Sequence, residues 1–207
     1  VLNVPIRFKS IVARKSSRLN GPVLVSVRPP LPPPAVLTLP TDRPRPAERR
    51  VDGATVTVPF GQELVKRVRR LAADHKTTAY TVYLAGFHAL LARLSGSDDI
   101  VVGIPVAAQA LEGENALFGH CVQMLPIRTQ MAGSTPFSGL IQSVGERVRG
   151  AYAHADCTFG KISQGLPPHR EPGRVPLIEG LSTADPARPA LHLDGLAATL
   201  HYAPQDF

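Results

Sequence analysis

An α/β fold is what this chain predicts, and three observations carry the prediction. Strand-like and helix-like runs alternate from residue 54 onward. The strand-like runs are short and rich in Val, Ile and Thr. The helix-like runs repeat their apolar residues at helical spacing, so each has a face to lay on a sheet.

The elements follow in order. ATVTVPF (54–60) alternates β-branched and other residues and predicts a strand. GQELVKRVRRLAADHK (61–76) sets Leu64, Val65, Val68, Leu71 and Ala72 on one helical stripe, with Lys and Arg opposite. TTAYTVYLAGFHALLARLSG (77–96) predicts a longer helix, apolar almost all round and therefore buried. Thr77 or Thr78 is positioned to cap it, and Gly96 to end it. DDIVVGIPVAA (98–108) predicts a buried strand, because IVVGIPV is unbroken by charge. FGHCVQMLPIRTQM (118–131) predicts another strand, in which Pro126 implies a bulge, an edge position or a strand end.

STPFSGLIQSVGERVRGAYAHAD (134–156) predicts a third helix. Ser134 or Thr135 is placed to cap it, Pro136 suits its first turn, and Phe137, Leu140, Ile141, Val144, Val148 and Tyr152 form its stripe. TFGKISQGL (158–166) is a short turn or helix, and PPHREPGR (167–174) a loop. VPLIEGLST (175–183) and LHLDGLAATLHYAP (191–204) are strand-like.

The 43% hydrophobic and 19% charged content of the 207 residues suits one folded domain or one large lobe. The net charge of +7 is concentrated at one end: residues 1–50 hold ten Lys/Arg against two acids, Asp42 and Glu48. That stretch also holds ten of the 21 prolines by residue 46, so it predicts an extended arm or linker with a solvated basic tail. It has one aromatic, Phe8, and no C2H2 or RNP pattern, which argues against nucleic acid as partner. No run approaches the ~18 apolar residues of a membrane helix. Cys121 and Cys157 fit no metal spacing and read as free thiols of a cytoplasmic protein. No P-loop, dinucleotide fingerprint or GxSxG sequence is present, so neither a nucleotide cofactor nor a covalent serine is supported.

Short segments in a fixed order carry a family resemblance. VLTLPTDRPRPA (36–47) and SGSDDIVVGIPVA (95–107) come first, followed by LFGHCVQMLPIR (117–128), HADCTFG (154–160) and REPGRVPL (170–177). They resemble the interlobe segment, strand and later motifs of the condensation domains of nonribosomal peptide synthetases. Gly119, Val122, Leu125, Pro126 and Arg128 match one motif, in which Cys121, Gln123 and Met124 stand for the usual Phe, Asn and Thr. His154, Asp156 and Phe159 match the next, and Arg170, Arg174, Pro176 and Leu177 the last, with Glu171 replacing Asp.

The resemblance implies a chloramphenicol-acetyltransferase-like lobe, a mixed sheet packed with helices. It implies the C-terminal lobe of a domain that joins carrier-bound acyl and aminoacyl thioesters through an amide bond. The partners implied are peptidyl or acyl carrier proteins bearing phosphopantetheine, an N-terminal lobe, and adjacent adenylation or polyketide synthase modules. Residues 36–207 would form the lobe and residues 1–35 a basic, Pro-rich segment before it. The family's HHxxxDG motif is missing: none of the seven histidines adjoins another. The chain therefore reads as a fragment, a split-gene product or a remnant, inactive by itself. A carrier-binding half-domain and an ester-forming relative remain alternative readings.

No catalytic, metal-binding or cofactor-binding residue is assigned. The tunnel or motif positions are Gly119, His120, Gln123, Arg128, His154, Asp156, Phe159, Arg170 and Arg174. His120 and His154 read first as structural histidines, His154 at a helix end where it complements the dipole. Asp156 is expected to accept backbone or arginine hydrogen bonds. Arg128 and Arg174 are expected to form ion pairs, and Gln123 to hold an amide near the tunnel.

Overall fold

The computed structural model describes residues 36–43, 54–107, 122–155, 157–164, 177–178 and 180–185. Four helices and three strands occur among them: α1 (Gln62–Asp74), α2 (Ala79–Ser95), β1 (Asp99–Ala107), β2 (Val122–Gln130), α3 (Phe137–Ala153), α4 (Phe159–Gln164) and β3 (Gly180–Leu181). Residues 118–121 of one expected strand and all of the expected strand 191–204 lie outside the described residues, as do residues 1–35.

The sheet order is β2-β1-β3. β1 pairs antiparallel with β2, with Val101 opposite Arg128 and Gly103 opposite Pro126. β1 pairs parallel with β3, with Val102 beside Gly180. The sheet is therefore mixed, and Pro126 sits on the outermost strand of the described sheet, where a missing N–H costs no ladder bond.

One face of the sheet carries Ile100, Val102, Ile104, Leu125 and Ile127, each at most 2% exposed. This is the period of two in the strands meeting the stripes of α2 and α3, through Leu84, Ile141 and Val144. Each such side chain contributes about 1.5–3 kcal/mol relative to exposure. On the opposite face Gly103 is required by crowding. A Cβ there would lie 2.6 Å from Leu181 Cδ2, 2.8 Å from Ile178 Cγ2 and 2.9 Å from Met124 Sδ.

Helix boundaries follow local chemistry. The Thr78 side chain accepts from the Thr81 backbone N–H at 3.1 Å, capping α2, and Gly96 closes that helix in the left-handed region (φ 70°). Both features match the sequence expectation. Three others do not. Residues 54–60 form no strand. Phe60 stacks on Tyr83, with ring centroids 5.9 Å apart, yet Val56 and Val58 are 81% and 65% exposed. Alternation alone does not make a strand, because a strand needs a neighbour to complete its ladder. Second, α3 has no side-chain cap: Pro136 is its N-cap residue, while Thr135 N–H is tied back to Ala132 O at 2.8 Å. Third, the apolar surfaces of the helices are not wholly buried: Leu90 and Leu94 of α2 are exposed, as are Phe137 and Tyr152 at the ends of the α3 stripe.

Candidate functional site

Arg128 anchors the site. On β2 its side chain shares a sheet face with Asp99, because the antiparallel register sets Arg128 opposite Val101 and Asp99 two residues along. The guanidinium donates from Nε to Asp99 Oδ1 at 2.7 Å and from Nη2 to Oδ2 at 2.6 Å. This two-bond geometry is the strong form of the arginine–carboxylate pair. The two side chains are 18% and 12% exposed, so the pair is mostly withdrawn from water. The bonds to Asp99 push the Arg128 pKa up, and partial burial opposes them. The ion pair expected of Arg128 is thus present, and it joins the SGSDDIVVG strand to the LPIR strand.

An open depression of about 510 Å³ lies between the outer edge of β2 and α3. Arg128 and Pro126 line one side, and Glu146, Arg147 and His154 the other. Two motifs distant in sequence therefore meet across one depression. His154 is the C-cap residue of α3, as expected, and is exposed. The lining includes no Ser, Thr or Cys among the described residues, so it offers polar and charged contacts and no covalent nucleophile.

Phe159 opens α4, which packs against β2, and is half-buried. Gln123 occupies the register position opposite Val106 on the helix-facing side of the sheet. Its Nε2 is buried with no hydrogen-bond partner. Gly119, His120, Asp156, Arg170 and Arg174 lie outside the described residues. Cys157 is a half-buried free thiol. No group of three or more His, Cys, Asp or Glu side chains is arranged to hold a metal ion among the described residues. No helix there is long and apolar enough to cross a membrane.

One residue escaped the sequence reading. His88 of α2 is 0% exposed, and neither ring nitrogen has a partner. Burial pushes its pKa down to about 4. The signal was available: His88 falls four residues after Leu84 and three before Leu91, on the buried side of the helix.

The model of the family described as "Condensation domain" matches residues 33–183. The chain belongs to the condensation-domain family. Among curated relatives, this condensation-domain segment is 34% identical over 152 residues to tyrocidine synthase 3 of Brevibacillus parabrevis. The alignment covers 73% of this chain and 2% of that protein. It is 36% identical over 146 residues to phosphinothricin tripeptide synthetase PhsB of Streptomyces viridochromogenes, covering 70% of this chain and 12% of PhsB. The chain thus spans a small fraction of the synthetases it matches.

Among solved structures, holo-AB3403, a four-domain nonribosomal peptide synthetase bound to AMP and glycine, superposes with a TM-score of 0.67 at 25% identity, over 71% of this chain and 11% of that one. The X-domain from teicoplanin biosynthesis gives 0.65 at 25% identity, over 70% of this chain and 32% of that one. The α/β, mixed-sheet, chloramphenicol-acetyltransferase-like architecture expected from the sequence is the architecture these neighbours share.

Proposed function

We propose that residues 36–207 are the C-terminal lobe of a peptide-synthetase condensation domain, supplying a wall of its reaction tunnel and part of its carrier-docking surface. The reaction is amide formation between two carrier-borne thioesters. The acceptor amine attacks the donor thioester carbonyl, the new C–N bond forms, the C–S bond breaks, and the donor phosphopantetheine thiol leaves with the proton. The HHxxxDG histidine comes from an N-terminal lobe, on the same polypeptide or another. Adenylation or polyketide synthase modules stand alongside, and the setting is cytoplasmic.

The observation that carries the reading is the meeting of Arg128 and His154 on one depression, from two separate motifs of the family. In this reading Arg128, locked to Asp99, holds the wall in place. His154 lines it, with Phe159, Gln123, Gly119, His120, Asp156, Arg170 and Arg174 as the remaining motif positions. The test combines the chain with an HHxxxDG-bearing N-terminal lobe and two loaded carrier proteins. Intact-protein mass spectrometry then follows the acceptor carrier. A mass gain equal to the donor acyl group supports the reading. Unchanged acceptor mass, with both lobes folded and associated, overturns it.

One observation favours a second reading, in which the lobe binds a partner without turnover. The teicoplanin X-domain, of the same architecture, forms a complex with OxyB. A titration with a phosphopantetheine-loaded carrier protein, run with the HHxxxDG-bearing N-terminal lobe present, separates the two readings, since saturable binding without acyl transfer even then supports the binding module.

A further inference from the structure

A second open cleft, of about 710 Å³, lies on the opposite side of α3 from the Arg128–His154 depression. Gly145, Val148, Arg149 and Tyr152 face it, whereas Glu146, Arg147 and Gly150 face the other. The 100° step per residue of a helix makes these opposite surfaces. The floor is built from Ile104 and Pro105, toward the carboxyl end of β1, and Thr183 and Ala184 follow β3 into its rim. β1 and β3 are parallel neighbours, and the crevice beyond the carboxyl ends of such strands is where open sheets gather ligands.

Its chemistry is one-sided. Lys76 and Arg149 bring two positive charges, and among the described residues no carboxylate lines the cleft. Thr77, Thr78, Thr81 and Tyr80 add hydroxyl groups at the start of α2. Gly145 fixes where two of these groups converge. A Cβ on it would lie 3.5 Å from Arg149 Nη1 and 3.6 Å from Thr77 Oγ1, so guanidinium and hydroxyl are drawn over the same point. Lys76 is held in the left-handed region (φ 51°), a costly backbone state for a residue with a side chain. Tyr80 is fixed in the wall by its hydroxyl, which donates to Ser182 O at 3.1 Å. Beneath these polar groups the floor is apolar, through Ile104 and Val148.

We propose that this cleft binds a phosphate ester, its anionic oxygens held by Arg149, Lys76 and the Thr77 hydroxyl, and its uncharged part lying over Ile104 and Val148. Phosphate oxygens suit both arginine geometry and threonine donors. None of these residues belongs to the condensation motifs at 117–128, 154–160 or 170–177, so a soluble phosphate ester here would be independent of the amide-forming reading, whereas a carrier-borne arm would rest on it. A soluble phosphorylated metabolite and the phosphodiester of a carrier-borne arm would present the same chemistry.

The test is an NMR titration of the full 207-residue chain with inorganic phosphate, then with methyl phosphate and dimethyl phosphate, at constant ionic strength. Saturable shifts at the Thr77, Thr78, Thr81 and Gly145 amides are expected. Arg149→Gln and Lys76→Gln should each weaken binding about fivefold, the loss of one partly screened charge contact. Arg93→Gln, an exposed charge at the far end of α2, should leave binding unchanged. Tighter binding of the monoester supports a soluble ligand, and equal or tighter binding of the diester supports the carrier-borne arm. Shifts that chloride reproduces overturn the proposal, as does weakening by Arg93→Gln equal to that by Arg149→Gln.

Discussion

Replacing His88 by leucine isolates one buried titration and gives it a size. In the folded chain the imidazole is fully buried, both nitrogens lack partners, and its pKa lies at about 4 against an ordinary 6.5. The unfolded chain therefore binds a proton in the window between those values, and the folded chain does not. A lowered histidine pKa makes the native state lose stability as pH falls through that window. With one pKa unit worth ~1.4 kcal/mol, the loss from pH 7 to pH 5 is about 2 kcal/mol, and by pH 4 about 3 kcal/mol. Carboxylates and the other histidines titrate in both proteins and cancel in the difference. A leucine side chain has a similar volume and no polar atoms, so His88→Leu should also gain roughly 1 kcal/mol at pH 7 from removing orphaned groups. Urea unfolding followed by circular dichroism, at pH 7 and pH 5 in both proteins, measures all four stabilities. Equal losses between the two pH values in wild type and His88→Leu would refute the reasoning, since the buried imidazole would then contribute nothing to acid sensitivity.

Three further experiments test the packing around the site. Gly103→Ala forces a methyl against Leu181, Ile178 and Met124, so a loss of about 1–3 kcal/mol is expected in urea unfolding. An unchanged midpoint would show that β3 does not seat on β1 as described. The Arg128–Asp99 pair calls for a double-mutant cycle with Arg128→Gln and Asp99→Asn. A coupling of about 1–2 kcal/mol is expected, above that of a surface pair because both side chains are largely covered. Strict additivity would remove the pair as a structural tie. Thr78→Ala deletes the α2 cap and should cost about 1 kcal/mol, while Thr78→Ser should restore most of it; equal losses in both would assign the effect to something other than the cap hydroxyl.

Much of this fold was legible because its signals are local. The cap at Thr78, the left-handed stop at Gly96 and the apolar strand before Ala107 each depend on residues within a few positions of one another. The ion pair of Arg128 was anticipated through a motif, and the strand register then supplied Asp99 as its partner. What escaped the sequence depended on neighbours far along the chain. Val56 and Val58 alternate as strand residues do, but no described segment offers a ladder to them. β3 is two residues long, and its place beside β1 rests on Gly103 and Gly180, whose small size lets chains and side chains from elsewhere approach.

The histidines show the same division in chemical terms. Position in a motif drew attention to His120 and His154, whereas burial displaces the pKa of His88, which lies outside every motif. Motif membership and physical perturbation are different quantities. An exposed histidine at a helix end can be kept for what it presents to a partner. A buried one is perturbed by its surroundings, whatever its role. His88 lies on the side of α2 that packs into the core, and it carries two unsatisfied nitrogens there. That arrangement bears on stability and acid sensitivity, while both proposed sites lie on the walls on either side of α3. Perturbed titration marks a candidate site only when the group also faces a cleft. Here the two clefts and the displaced histidine do not coincide, so both proposals draw on charge and shape at the surface: Arg128 and His154 on one side, Arg149 and Lys76 on the other.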